Sequence, residues 1–280
     1  MRRLITQKLM REFAAYLLQE ECSAGTMQKY GRDVAAFAKW AAGREITREL
    51  VRAWKESLLE RGYAAVTINS MLAAVHRLFA MAGWAECRVK YLKVQRRLFR
   101  QKGRDLNREE FGRLVAAAKE RGQVRLALLL EAMAATGVRV SEVRYLTVQA
   151  ARDGKTEIML KGKIRTLLLP DKLCRKLLKY AQKNKIASGE IFLTGNGNGM
   201  SRRQIWAEMK RLCGHAGVDP QKVFPHNLRH LFATAYYRVY KDIARLADVL
   251  GHSSIETTRI YLLSSGAEHA RQLDRLGLVS

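Results

Sequence analysis

Apolar side chains in the first 87 residues recur at three- and four-residue steps, the spacing that places them on one face of a helix. The clearest run follows Ser23 and consists of Met27, Tyr30, Val34, Phe37 and Trp40. Similar patterns cover residues 6–20, 47–60 and 67–81, and Thr47 and Thr67 can cap the last two helices through their hydroxyls. The pattern predicts four short helices in one compact domain over residues 1–87.

Beyond residue 104 the spacing alternates between that of helices and that of strands. Asn107 with Glu110 forms a capping-box pattern that predicts a helix through Lys119, and residues 123–135 form a strongly apolar second helix. Residues 156–160 and 164–169, joined by a basic turn, predict a β-hairpin. A helix over residues 171–183 and a Gly/Asn-rich loop over residues 194–200 follow.

The last third of the chain is again helical in its pattern. Two more capping-box patterns, Ser201 with Gln204 and Ser253 with Glu256, each predict the start of a helix. The predicted helices here cover residues 201–213, 227–239, 242–250 and a segment that begins at Ser253 and has Tyr261 toward its end. The sequence therefore predicts a mainly α fold with a small β-hairpin, in two domains over residues 1–87 and 105–280.

The net charge of the chain indicates what kind of partner it binds. The chain has 51 Lys and Arg against 26 Asp and Glu, a formal charge of +25, which favours a polyanion as the binding partner. With 48% hydrophobic residues and only three prolines, the chain is not a disordered basic tail. Residues 88–104 carry eight basic residues and no acid, and they predict a linker that lies against a phosphate backbone. A solvated charged connector is the alternative.

Cysteines and apolar runs narrow the class of protein further. The four cysteines lie far apart without a CxxC pair, which argues against a zinc module or a disulfide framework and favours a reduced, cytoplasmic protein. No apolar run approaches the roughly 18 residues that span a bilayer, so neither secretion nor a membrane partner is expected.

Three local patterns in the second domain carry candidate chemistry. Arg139 follows Gly137 at the end of the apolar helix, His226 and Arg229 share the first turn of a helix, and His252 precedes Tyr261 by nine residues. Each pattern has a structural alternative, such as a buried Arg139–Glu142 ion pair, a capping role for His252 or a core position for Tyr261. Together they combine fixed cations, a proton donor and a nucleophile without a carboxylate cluster, as metal-free phosphodiester chemistry requires.

The motifs TGVRVSE, HNLRH and LGHSSIETTRIY, in this order and at these separations, resemble those of the tyrosine recombinase (phage integrase) family. The resemblance covers nearly the whole chain, although Ser23, Thr26 and Tyr30 match the SAM-like helical core-binding domain only loosely. It implies a compact, Xer-like member without an added N-terminal arm-binding domain. It also implies a second, catalytic domain over residues 105–280, with both domains forming a C-shaped clamp on DNA.

The resemblance implies a catalytic set formed by Arg139, Lys161, His226, Arg229, His252 and Tyr261. In this set Arg139 and Arg229 hold the scissile phosphate, and His226 accepts or relays the proton of the attacking Tyr261. His252 donates a hydrogen bond to the phosphate. Tyr261 is the nucleophile and forms a 3′-phosphotyrosyl bond, leaving a free 5′-hydroxyl. Neither a metal nor another cofactor nor ATP is implied.

Two further positions complete the implied site. Glu142 corresponds to an acidic residue that orients the catalytic groups. The stretch LKGKIRTLLLP matches the family hairpin that carries a general-acid lysine, but it is one residue shorter in the turn and has Leu168 where the motif has proline. Allowing for the deletion, Lys161 is the expected general acid and Lys163 the second choice. His215 and His230 are interpreted as structural.

The implied partner is a double-stranded DNA recombination site. Arg96, Arg97 and Arg100 of the linker would contact its backbone, and Arg202 and Arg203 would lie near its bases. The expected assembly is a homotetramer on two DNA sites, connected by a C-terminal tail over residues 264–280 that docks on a neighbouring subunit. The free protein is expected to be a monomer or weak oligomer, cytoplasmic and associated with the nucleoid.

The implied reaction is site-specific recombination through a Holliday junction. It would serve either dimer or cointegrate resolution or the integration and excision of a mobile element. Two other functions stay open at this point. A type IB topoisomerase relaxes DNA with a similar set of residues, and a non-catalytic DNA-binding regulator can share the fold.

Overall fold

The computed structural model describes residues 2–94, 103–160, 163–262 and 274 of the 280. The chain divides into two compact units, Met1–Arg96 and Arg97–Ser280. The predicted linker arginines Arg96, Arg97 and Arg100, together with Lys161, lie outside the described residues, as does the tail over 264–280 apart from Asp274. The predicted domain boundaries therefore stay predictions.

Four helices and a short 3₁₀ turn form the first unit. They are α1 (Gln7–Gln19), α2 (Ala24–Ala41), α3 (Arg48–Glu60), α4 (Ala65–Met81) and the 3₁₀ turn Ala85–Cys87. The hydroxyls of Thr6, Ser23 and Thr47 cap the first three helices by accepting from amides three residues further on. Aromatic residues of all four helices pack in one core, where the ring centroids of Phe37 and Trp54 lie 4.7 Å apart.

The predicted cap at Thr67 is wrong. α4 begins at Ala65, and the carbonyl of Ala64 already accepts from the Thr67 amide at 2.8 Å. Thr67 therefore lies inside the first turn, and Ala64, at the cap position, makes no side-chain hydrogen bond.

The second unit is also mainly helical. Its helices are α5 (Arg108–Glu120), α6 (Val124–Thr136), α7 (Val148–Asp153), α8 (Asp171–Lys183), α9 (Arg202–Ala216), α10 (Pro225–Tyr240), α11 (Ile243–Leu250) and α12 (Ile255–Arg259). Three 3₁₀ segments, Val140–Tyr145, Pro220–Lys222 and Ile260–Leu262, connect or end them. α6 packs against α5, α8 and α10, which places this apolar helix at the centre of the core.

The two strands of the described residues form the predicted hairpin. β1 (Lys155–Leu160) pairs antiparallel with β2 (Lys163–Leu168), and Ile158 lies directly opposite Arg165. Opposed residues point to the same face of a hairpin. Since Ile158 is buried, Arg165 points to the inner face of the sheet. A mainly α fold with a small β-hairpin is thus confirmed.

Other predicted boundaries shift by one to three residues. α9 continues to Ala216, where Gly217 ends it, and α10 begins at Pro225 instead of residue 227. The predicted capping box at Ser253 is wrong, because Ser254 holds the cap position and its hydroxyl accepts from the Glu256 amide at 3.3 Å. Within the described residues, the structure contains no helix that is both long and apolar enough to cross a membrane.

Candidate active site

Arg139 enters the site because α6 ends sharply just before it. Gly137 ends the helix at φ 63°, and a Cβ at this position would collide with the ring of Phe232. Two residues later Arg139 starts the 3₁₀ segment, where its Nη1 donates to Glu142 Oε1 at 2.7 Å. Its backbone N–H donates to Glu142 Oε2 at 2.9 Å, so Glu142 fixes both the main chain and the side chain of Arg139.

Glu142 is fully buried and is shared by two arginines. Besides Arg139, Arg165 Nη1 donates to Glu142 Oε2 at 3.1 Å. Burial raises the pKa of the Glu142 carboxyl, but the hydrogen bonds from Arg139 and the charge of Arg165 outweigh it and leave the pKa below its ordinary value. Glu142 is therefore an anion between two guanidinium groups.

Arg229 lies on the second turn of α10 and is 2% exposed. The start of this helix is held in place by Asn227 Nδ2, which donates to the carbonyls of Arg104 and Lys222 at 2.8 Å each. Arg229 Nη1 donates to Gly137 O at 2.6 Å, and Nη2 donates to Leu250 O at 2.6 Å. Burial, followed by the charges of Arg139 and Arg165, lowers the pKa of Arg229 to about 10, so it stays a cation at neutral pH.

His252 follows Gly251, which ends α11 in the left-handed conformation at φ 64°. Its Nε2 lies 2.8 Å from Arg229 Nη2, and its Nδ1 lies 2.8 Å from Thr258 Oγ1. Burial and then the charges of nearby Arg229 and Arg139 lower the pKa of His252 to about 4. The imidazole is thus neutral at physiological pH. Because Arg229 can only donate, Nε2 accepts, and the ring proton is assigned to Nδ1.

Tyr261 lies among three imidazole rings and is 6% exposed. Its ring centroid is 5.4 Å from that of His226, 5.5 Å from that of His230 and 5.8 Å from that of His252, with the last pair nearly parallel. Tyr261 also interacts electrostatically with Arg229, which raises the pKa of that guanidinium and so partly offsets the effect of burial. A phenol in this position has histidine bases and an arginine within reach.

Three consecutive carbonyls at the end of α11 each accept from a different arginine. Val249 O accepts from Arg165 Nε at 3.1 Å, Leu250 O from Arg229 Nη2 at 2.6 Å, and Gly251 O from Arg139 Nη2 at 3.3 Å. The carboxyl end of a helix carries partial negative charge. This end of α11 therefore holds three cations together, and we call the three residues the arginine cluster.

The structure brings six predicted residues into one network: Arg139, Glu142, His226, Arg229, His252 and Tyr261. Lys161 lies outside the described residues, as does the side chain of Lys163, the first residue of β2. Arg202 and Arg203 are exposed at the start of α9 and have no contact with this network among the described contacts.

Sequence reasoning missed three contributors to the site. Thr258 contacts His252, and His230, read as structural, packs against the nucleophile candidate Tyr261. The spacing of His226 and His230, one helical turn apart, was a usable signal for the latter. Arg165 gave a weaker signal, because the sequence pattern of the two strands does not show which face of the hairpin is buried.

With Arg165 added, the network combines three guanidinium groups, the imidazoles of His226 and His252, a phenol and a single carboxylate. Within residues 2–94, 103–160 and 163–262, the structure has no group of three or more His, Cys, Asp or Glu side chains that could hold a metal ion. Fixed cations of this kind stabilise negative charge that develops on phosphate oxygens.

Comparison with known proteins agrees with this chemistry. Residues 104–268 match the phage integrase family, and residues 10–86 match the N-terminal SAM-like domain of phage integrases. The chain is 28% identical to tyrosine recombinase XerD of Vibrio cholerae over 84% of each chain. It is also 28% identical to tyrosine recombinase XerA of Pyrococcus furiosus over 97% of each chain.

A solved structure shares the fold. The lambda integrase tetramer bound to a Holliday junction aligns with a TM-score of 0.71 and 17% identity, over 91% of this chain and 76% of that chain. Since the family match spans more than half of the sequence, the chain belongs to the phage integrase family. It is a site-specific tyrosine recombinase, an enzyme that cuts and rejoins DNA.

Proposed function

We propose that Tyr261 is the nucleophile of this recombinase and that the arginine cluster holds the phosphate that it attacks. The observation that carries the proposal is the position of Arg229. One buried guanidinium lies 2.8 Å from His252 Nε2 and interacts electrostatically with both Tyr261 and Arg139. A phosphate bound there lies next to the phenol oxygen.

In the proposed step the Tyr261 oxygen bonds to the scissile phosphorus while the bond to the 5′-oxygen breaks. The phenol proton passes to His226, and Lys161, or Lys163 as second choice, returns a proton to the leaving 5′-oxygen. Arg139 and Arg229 stabilise the charge on the non-bridging oxygens. The 3′-phosphotyrosyl ester keeps the bond energy, so a partner strand can be joined without ATP.

We further propose that four subunits act on two double-stranded sites and exchange strands through a Holliday junction. The fold shared with the lambda integrase tetramer on such a junction supports this assembly. The tail over residues 264–280 is the proposed link between subunits, and the free protein is proposed to be a monomer or weak oligomer. The strand exchange would serve either dimer or cointegrate resolution or the integration and excision of a mobile element.

A nicked duplex tests the nucleophile. The duplex carries the site that the protein selects from a random-sequence pool. A nick close to the 3′ side of the scissile phosphate lets the short fragment with the free 5′-hydroxyl diffuse away after cleavage. The wild-type protein should form a DNA adduct that survives denaturation, whereas Tyr261→Phe should form none and bind the duplex with unchanged affinity. The matched control is Tyr240→Phe, which removes a hydroxyl from an exposed tyrosine of α10.

Persistence of the adduct in Tyr261→Phe would move the nucleophile elsewhere, and its loss in Tyr240→Phe would point to α10. The topoisomerase alternative is tested separately. A supercoiled plasmid without the selected site should stay supercoiled, because the proposed enzyme exchanges strands only at its site.

A further inference from the structure

We propose that Arg165 is a positioning residue for Arg139. It keeps the Arg139 side chain aligned, and it shares the negative charge of Glu142 so that Arg139 keeps positive charge for the scissile phosphate. The inference rests on the proposed function, because it assigns Arg165 a part in the same cleavage step. Arg165 does not itself touch the nucleophile candidate. It acts through Glu142 and through the end of α11.

The hairpin delivers Arg165 to this position. Its side chain is only 9% exposed and points to the inner face of β2, opposite buried Ile158. Nη1 donates to Glu142 Oε2 at 3.1 Å, and Nε donates to Val249 O at 3.1 Å. A single guanidinium therefore joins the hairpin to the 3₁₀ segment and to α11.

The approach to α11 leaves no free space. A Cβ at Gly251 would collide with Cδ of Arg165, and φ at Gly251 is 64°, a conformation that favours glycine. Gly251 O is also the acceptor of Arg139 Nη2 at 3.3 Å. Arg165 thus packs against the residue whose carbonyl holds the reacting arginine.

Arg165 also changes the net charge around Arg139. Glu142 faces Arg139 and Arg165 together, so the three groups carry a net charge of about +1 at neutral pH. Without Arg165, buried Glu142 and partly exposed Arg139 form a neutral pair, and Arg139 has less positive charge to offer a phosphate. Among the residues that the structure describes, the buried Nη2 of Arg165 has no hydrogen-bond partner.

The test compares two substrates. In one the scissile group is a normal phosphodiester, and in the other it is a methylphosphonate, which lacks one of the negative charges that the arginines stabilise. Arg165→Ala should slow single-turnover adduct formation about 100-fold on the phosphodiester. On the methylphosphonate the deficit relative to wild type should fall below about 10-fold, as it should for Arg139→Ala. The double variant should be no slower than the slower single variant.

Arg165→Gln and Arg165→Lys separate folding from positioning. Gln keeps much of the side-chain volume but loses the charge, so Arg165→Gln should be as slow as Arg165→Ala. Lys keeps the charge but cannot reach both acceptors, so Arg165→Lys should recover part of the rate. Arg113→Ala is the matched control. Arg113 donates to Ala216 O at 3.2 Å and Gly217 O at 3.4 Å at the end of α9, so its loss should leave both rates unchanged.

An equal deficit of Arg165→Gln on both substrates would overturn the inference and leave a purely structural role. A wild-type rate on the phosphodiester would overturn it as well. Failure of the proposed function is a different result, because then the wild-type protein itself forms no adduct at Tyr261.

Discussion

Two sets of arginines, one in each unit, are held in different ways. In the first unit Arg3 pairs with Glu86 and Arg77 with Glu20, each at 2.5 Å and with both partners partly exposed. In the second unit Arg139 and Arg165 share the carboxylate of Glu142, and Arg139, Arg165 and Arg229 each donate to a backbone carbonyl at the end of α11. Pairwise neutralisation leaves little local field, whereas shared neutral acceptors leave concentrated positive charge. The arginine cluster has one carboxylate for three cations and so keeps a net positive charge, whereas each of the two pairs in the first unit is neutral.

Two buried histidines show the same contrast. The pKa of His76 in the first unit and that of His252 in the second are both lowered to about 4, in each case with burial as the largest cause. For His76 the only added charge is Arg88, and its Nε2 accepts from the Val89 amide at 3.3 Å. For His252 the added charges are the arginine cluster and His226. The first is lowered mainly by packing, and the second also by the arginine cluster.

The largest expected effect comes from replacing an arginine of the cluster while keeping its charge. Arg229→Lys should slow adduct formation at saturating DNA by about 10³-fold, because one ammonium cannot reach both carbonyls and His252. Arg77→Lys in the first unit is the control and should leave this rate unchanged, since exposed pairs contribute at most about 1 kcal/mol to stability. Comparable losses in both variants would break the contrast between the units.

The next effect concerns proton affinity. DNA binding places phosphate charge beside His252, which favours the imidazolium, so the pKa of His252 should rise from about 4 by one unit or more. The pKa of His76 should stay near 4, because its shift comes from burial. Imidazole NMR signals, followed by pH titration with and without DNA, measure both. Equal shifts of the two histidines would show that the field is not confined to the second unit.

The smallest expected effect on cleavage comes from the linker, whose substitution should lower DNA affinity but not the cleavage rate. Replacing the predicted linker residues Arg96, Arg97 and Arg100 by Ala should weaken binding at all sequences. The slope of log K against log salt should fall by about 0.9 for each lost phosphate contact. Cleavage at saturating DNA should change little, and gel-shift titrations at several salt concentrations provide the measurement. An unchanged slope would contradict the backbone role of the linker.

Much of the fold follows from local chemistry in the sequence. Helical spacing with Pro170 in front predicts α8 with the observed bounds, and the capping box of Asn107 and Glu110 starts α5 as expected. α7 and the 3₁₀ segment before it escaped prediction because six residues are too few to show a period. The predicted cap at Thr67 was wrong because a hydroxyl near the start of a helix does not identify which residue holds the cap position.

For the site, the motifs predicted which side chains come together but not what holds them. The acceptors of the arginine cluster are main-chain oxygens of Val249, Leu250 and Gly251, and a main-chain oxygen is the same in every residue. Arg165 belongs to the cluster only through the facing of a two-stranded hairpin, which depends on register. Long-range backbone contacts of this kind require the folded chain.

The end of α11 has a consequence for what the DNA meets on arrival. Carbonyl oxygens do not titrate, so they hold the arginines in the same way across the whole pH range in which the fold persists. They also carry no full negative charge and so repel an incoming phosphate less than a carboxylate would. A phosphate oxygen that displaces a carbonyl replaces one oxygen acceptor with a stronger one, around guanidinium groups that are already oriented, two of them, Arg165 and Arg229, largely removed from solvent. The fold thus prepares these hydrogen-bond donors before any DNA binds.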